Sequence, residues 1–375
     1  MSRRTKVCIV APVHEWDDVR VFSKQAVTLV QAGYDVVLLA QAGEAFERKG
    51  VRVEPVRAPR TPRSVRFLAL PFLFRQAVRR RADVYHLHNP DTLPLAMGLK
   101  LLGKKVIYDT HEDFAERIRL REWIPSPLRS SLGRVISWLE KVAAGVVDAC
   151  VATEDAVAER LGEGAVVIGN APRLDRDLMA EVEAFAAAIV DRFVGLRVVY
   201  VGWVGVARGL LEMVDAIEMA NVSAPVRLWL IGPADEDGLV LARARSGWRY
   251  VDYLERLPQE KALSYAVRAD VGLIALRDVG GHRRSDPNKI YEYMALGIPF
   301  IASDFPAWRS RLQGYDAGWF VLPGDAEALA AAILAARDED ARHSKGQAGL
   351  KFVKTYNWER ESEKLLALYA SLSPA

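Results

Sequence analysis

The sequence predicts an α/β protein built from two doubly wound, Rossmann-like domains facing across a cleft. Three observations carry that reading. Short β-branched runs alternate with helical patterns through the first 170 residues. The alternation lapses after Asn170 into Ala171-Pro-Arg-Leu-Asp-Arg-Asp, and it restarts at Leu196-Arg-Val-Val-Tyr-Val-Gly. Repeated βα units of this length imply a parallel sheet covered on both faces, and the lapse divides one sheet from the next.

Taken in order, Val7 to Val13 reads as a buried strand. A polar loop follows, then a helix from about Val19 to Ala32, whose apolar positions Val19, Phe22, Ala26, Leu29 and Val30 recur at helical spacing before Gly33. Further strands are expected at Asp35–Ala40, Val51–Pro55, Val84–Leu87, Lys105–Tyr108, Ala149–Ala152 and Val166–Ile168. The second series has strands at Val226–Ile231, Tyr250–Leu254, Val271–Ile274, Pro299–Ser303 and Gly318–Val321. Helices lie between them near Leu210–Met219, Pro258–Ala269, Pro287–Leu296 and Ala326–Arg337. This gives a first domain over 1–175 and a second over 192–355. A last helix from about Asn357 to Leu372, within 356–375, could pack on either domain, the first included.

The 375 residues, half of them apolar and a quarter charged, suffice for two separate cores. No apolar run is long enough for a membrane span, and the Val7–Val13 run, broken by Pro12, does not read as a signal peptide. Cys8 and Cys150 both fall in apolar strands, which fits reduced thiols in a cytoplasmic protein. A net charge of +3 points to no nucleic-acid partner. Locally the charge is uneven: eight arginines from Arg57 to Arg81 are interleaved with Phe67, Phe72 and Phe74 and with no acid. The mix suits an anionic membrane surface or a phosphorylated acceptor, and equally a solvated basic helix.

Chemistry in open parallel sheets lies beyond the carboxyl ends of the strands. The first such loop, Pro12-Val-His-Glu-Trp-Asp-Asp-Val-Arg, has no glycine and so cannot cradle a dinucleotide pyrophosphate. The loop opening the second domain carries Gly202, Gly205 and Gly209, with Arg208 beside a helix start, and suits a diphosphate. In Ser285-Asp-Pro-Asn-Lys-Ile-Tyr-Glu, Asp286 is expected to cap a helix whose first position is Pro287. Lys289 and Glu292 share a face, the first toward phosphate and the second toward ribose hydroxyls. Without a ligand, the same segments read as a tight turn and a capped surface helix. His86 and His88 share one side of a strand, and with His14 and His111 lie near strand ends. A zinc site is conceivable there, but satisfied core histidines are the plainer reading.

The segment Asn288-Lys-Ile-Tyr-Glu-Tyr-Met-Ala-Leu-Gly-Ile-Pro-Phe-Ile-Ala-Ser resembles the donor-site helix of the family-four retaining glycosyltransferases of GT-B architecture. Asp83-Val-Tyr-His-Leu-His-Asn-Pro-Asp-Thr-Leu, Val106-Ile-Tyr-Asp-Thr-His-Glu-Asp-Phe and Trp358-Glu-Arg-Glu resemble the same family in the same order. The resemblance implies a nucleoside-diphosphate sugar bound by the second domain and a glycan or lipid-linked acceptor bound by the first. It also implies transfer with retention and no metal or other cofactor. His111 resembles the family's active-site histidine, and Arg208 stands where the family has a phosphate-binding lysine; with an arginine lost at Trp203, either Lys289 supplies the second charge or the site differs. Gly202, Gly205, Glu292, Asp286 and Leu254 are then donor-side residues. Asp18, Arg20, His88 and Asp109 are acceptor-side.

Three departures from the family pattern stand out. Trp203 replaces a usual arginine, and Arg284 replaces the first of two paired glutamates, with Asp286 or nearby backbone as its substitute. Asp17, Asp18 and Arg20 occupy the place of a glycine pair. The runner-up functions are a GT-B-type sugar-nucleotide epimerase and a non-catalytic sugar-nucleotide-binding protein.

Overall fold

The computed structural model describes residues 3–56, 69–110, 118, 124–173 and 176–372. The chain divides into two compact units, Met1–Asn170 with Glu359–Ala375, and Ala171–Trp358.

The first unit runs β1 (Lys6–Glu15), α1 (a π-helical stretch Val19–Ala26 continued by Val27–Gln31), β2 (Asp35–Gln41), β3 (Phe46–Arg48) and β4 (Val51–Pro55). It continues with α2 (Leu70–Arg79), β5 (Val84–His88), α3 (Leu93–Leu101), β6 (Lys105–Thr110), α4 (Ser126–Ala144), β7 (Ala149–Ala152), α5 (Asp155–Leu161) and β8 (Ala165–Val167). The strands form one sheet in the order β3-β4-β2-β1-β5-β6-β7-β8, parallel except for the edge pair β3–β4. Strand order turns back between β1 and β5, which makes that gap the topological switch point.

Strands buried on both faces explain the unbroken apolar runs in the sequence. Cys8 and Cys150 are buried and unpaired, and burial pushes both thiols up to about 12, so they are core groups and not nucleophiles. The helix after β1 differs from the expected regular one. Its wider turn brings Arg20, Lys24 and Gln25 together on the buried side, where each finds a polar partner.

The second unit runs α6 (Arg176–Ala188), β9 (Leu196–Val201), α7 (Leu210–Asn221), β10 (Val226–Ile231), α8 (Glu236–Arg243), β11 (Val251–Tyr253), α9 (Gln259–Val267) and β12 (Val271–Ile274). Then come α10 (Asn288–Ala295), β13 (Phe300–Ser303), α11 (Pro306–Arg311), β14 (Gly318–Val321), α12 (Ala326–Ala335) and α13 (Glu339–Val353). Its six parallel strands lie in the order β11-β10-β9-β12-β13-β14, the doubly wound order with the switch point between β9 and β12. The last helix, α14 (Trp358–Leu372), joins the first unit from Glu359 onward. There Glu361 accepts the Gly169 N–H at 2.7 Å, and Tyr369 meets His86.

Candidate functional site

At the switch point of the second sheet, β9 and β12 pair only through Val198 with Val271 and Val199 with Gly272. Beyond that the strands part, and Tyr293 of α10 fills the gap. Its hydroxyl accepts the Val201 N–H at 3.1 Å and faces the Val199 carbonyl at 3.5 Å. One turn earlier on the same helix face, Lys289 reaches past the end of β9. Gly202 has a φ of +133°, and a Cβ there would lie 2.5 Å from Lys289 Cε and 2.6 Å from Nζ. Only glycine lets the lysine lie over the backbone in this way.

The Lys289 ammonium stands 5.1 Å from the centre of the Tyr200 ring and makes no hydrogen bond or ion pair among the described residues. Burial, and then the nearby Arg208 guanidinium, lower its pKa to about 8, with Glu292 opposing. Arg208 ends the short turn Val206–Arg208, just before Gly209 starts α7 with a left-handed φ of +80°. Arg208 also makes no ion pair among the described residues. Two half-buried cations thus face one strand end without a carboxylate in contact, an arrangement suited to a multiply charged anion.

A residue that the sequence reading passed over joins them. His282 sits in the turn His282–Arg284 with Nδ1 2.9 Å from the Arg277 carbonyl. A carbonyl only accepts, so Nδ1 carries the proton and Nε2 keeps a lone pair. Burial lowers the imidazole pKa; the Arg277 carbonyl opposes, and Arg208 and Lys289 push further down. The signal available in the sequence was Gly280-Gly281 directly before this histidine, both with left-handed φ.

The other donor-side expectations fall out unevenly. Glu292 is half-buried three residues beyond Lys289 and makes no ion pair among the described residues. Gly205 is in extended backbone that any residue adopts. Leu254 packs partly buried against the core beyond β11, its N–H on the Leu230 carbonyl. Asp286 does not cap α10, and Pro287 precedes the first helical residue, Asn288. The Asp286 carboxylate is instead taken up by Tyr291 at 2.5 Å and Arg311 at 2.6 Å, which fixes the loop before the helix.

In the first unit, three of the four acceptor-side expectations form one buried polar network. Asp109, fully buried at the end of β6, is held by Arg20 at 3.1 and 3.2 Å, by Gln25 at 2.6 Å and by His86 at 3.3 Å. Arg20 also reaches the Ile168 carbonyl and Asn170 Oδ1, both at 3.1 Å. Burial alone would raise the Asp109 pKa, but Arg20 and the two imidazoles outweigh it and hold it well below the carboxylate range. His88, also fully buried, stacks on His86 at 4.8 Å between ring centres, with His14 edge-on at 5.9 Å. Arg20, His88 and Asp109 therefore form a buried platform in which Arg20 and Asp109 hold each other. Asp18 caps α1, accepting the Val21 N–H at 2.9 Å. His111 lies outside the described residues, as do Arg57 to Arg66 of the basic segment.

His86, His88 and Asp109 each bring one ligand atom within 4.8 Å of the others, the set a metal ion would need. Here the carboxylate oxygens are already occupied by nitrogens of three side chains, Arg20, Gln25 and His86, and the Arg20 guanidinium supplies the positive charge. A second cation would be repelled by the first. Just beyond His88, Asn89 has a φ of +74°, a strained position for a non-glycine residue. Its Oδ1 is buried without a hydrogen-bond partner.

With this geometry in view, comparison with known proteins gives the class. The family description Glycosyl transferase 4-like domain matches residues 19–171, and Glycosyl transferases group 1 matches residues 195–338. The sucrose-phosphate synthase structure from Thermosynechococcus elongatus superposes with a TM-score of 0.76 over 98% of this chain and 99% of that one, at 20% identity. Anabaena HepE in complex with UDP and glucose gives 0.72 over 98% and 100%, at 14% identity. The protein is a glycosyltransferase of GT-B architecture. The phosphatidyl-myo-inositol mannosyltransferase of Mycobacterium leprae is 26% identical over 296 residues, 78% of this chain and 74% of that protein. Its Mycolicibacterium smegmatis counterpart is 26% identical over 302 residues, 78% and 72%. The chain belongs to the family-four-like glycosyltransferases.

Proposed function

We propose that the enzyme moves a sugar from a nucleoside-diphosphate sugar to an acceptor hydroxyl with retention of anomeric configuration, in glycan or glycolipid biosynthesis. The observation that carries this is the pair Arg208 and Lys289 at the second switch point, two cations with no carboxylate contact. In this reading the diphosphate lies across Gly202 and the start of α10. Helix N-terminal N–H groups, the guanidinium and the ammonium then meet the charge that develops as the bond from the anomeric carbon to phosphate oxygen breaks. The acceptor oxygen bonds to the anomeric carbon from the same side, and its proton passes to the departing phosphate oxygen. No protein nucleophile and no metal are required. His282 Nε2, a fixed acceptor, receives a sugar hydroxyl in place of the carboxylate absent at Arg284.

The acceptor belongs to the first unit, where the strained Asn89 offers an unsatisfied oxygen above the buried platform. A lipid-linked acceptor is supported by the mycobacterial relatives, whose names specify phosphatidyl-myo-inositol. No helix among the described residues is long and apolar enough to cross a membrane. Action on the cytoplasmic side, at the inner membrane face, fits a nucleotide-sugar donor.

Calorimetry with UDP, GDP, ADP and TDP sugars tests the donor, and NMR of the product anomer tests retention. Turnover undiminished by a chelator is expected. No heat with any of the four nucleotides removes the proposal.

A further inference from the structure

One face of the first sheet is covered by helices whose outer sides are unexpectedly apolar. α4 turns Gly133, Glu140 and Ala143 inward, all buried, and presents Leu128, Leu132, Val135, Trp138, Leu139 and Val142 outward, 38% to 63% exposed. Apart from Trp138, which widens it, the stripe advances in steps of four and three, so it is one continuous band along the helix. α3 packs beside α4 and α2 beside α3, on the same side of the sheet. α3 ends in Leu101, 89% exposed, and α2 shows Phe72, 66% exposed.

The charge on these helices has one sign. Across α2, α3 and α4 the single acidic residue is Glu140, which is buried against Arg160 at 2.5 Å and Tyr108 at 2.8 Å. Arg75, Arg79, Arg134 and Lys141 are exposed, and none has an ion-pair partner among the described residues.

We propose that this α2–α3–α4 face lies on an anionic lipid surface. Apolar side chains, a tryptophan among them, would enter the boundary between headgroups and acyl chains while the cations meet headgroup phosphates. A second copy of the chain fits less well. Two identical faces would bring like charges together with no exposed carboxylate to answer them. The face belongs to the first unit and stands independently of the donor site in the second.

Flotation of the purified full chain with vesicles tests it, using phosphatidylcholine alone and an equal mixture with phosphatidylglycerol. The wild type should float with the mixture and remain unbound with phosphatidylcholine. The exposed pair Val135→Ser/Trp138→Ser should lower partition at least tenfold, with melting temperature and circular dichroism unchanged. Arg134→Glu/Lys141→Glu, and independently Arg75→Glu/Arg79→Glu on α2, should each lower it by about fivefold per charge. A wild type that does not float with the mixture overturns the proposal, as do variants that float equally well. So does a wild-type dimer, seen by sedimentation equilibrium, that the serine pair dissolves while no vesicle binding occurs.

Discussion

Lys289 crosses over Gly202 so closely that its last carbon lies only 2.5 Å from where a Cβ on the glycine would stand. The helix brings the charge, and the missing side chain at the strand end admits it. Gly202→Ala should therefore displace the ammonium, in a backbone region that alanine itself resists. Affinity for the nucleoside diphosphate should fall at least tenfold, and isothermal calorimetry would read the change. Unchanged affinity would show that the lysine does not work from this position.

Removing the cations should cost turnover more than fold. Arg208→Ala and Lys289→Ala are each expected to lower kcat by about a hundred- to a thousandfold, the usual loss for one group facing developing charge. The double variant should be inactive with circular dichroism unchanged. Near-normal turnover in either single variant would remove that residue from the mechanism.

The lowered pKa of Lys289 has a sign that can be measured. Because its folded value is about 8 and the unfolded one 10.5, the protonated native state carries a penalty at neutral pH. Stability should rise as pH increases from about 8 toward 10.5, and Lys289→Met should melt higher than wild type at pH 7. Donor binding restores the charge, so it should take up protons near pH 8 and weaken above it. Calorimetry in two buffers of different ionisation enthalpy would detect the uptake; identical heats after buffer correction would contradict it.

Breaking the buried network in the first unit should act on stability. Asp109→Asn leaves the Arg20 guanidinium buried without its counter-charge, at a cost of about 3–5 kcal/mol. In the wild type the Asp109 pKa is depressed, so its contribution is present above the ordinary carboxylate range. It is lost as pH falls through that range toward the folded value. Urea melts of wild type and variant should converge in acid, and a constant difference down to low pH would refute the linkage.

Asn89→Gly relieves the left-handed φ and should stabilise the fold by about 1 kcal/mol or more. If its unsatisfied oxygen serves the acceptor, turnover should fall in the same variant. A gain in both would mean that the strain has no part in activity.

By itself the sequence determined the two-sheet architecture, because β-branched runs alternating with helical periods leave few ways to bury both faces of a parallel sheet. It also located Arg208, Gly202 and Lys289, since helix starts and strand ends are readable from local spacing. It did not reveal α13, whose packing relies on Gly346 and Gly349 pressed against Gly297 and Met294 and so lacks an apolar stripe. Nor did it reveal that Asp286 turns to Arg311, or that Arg20, Asp109, His86 and Tyr369 meet. Tyr369 lies 283 residues beyond His86. Partners that distant in sequence are chosen by the folded sheet, which alone decides which charges are buried together and which remain open to a ligand.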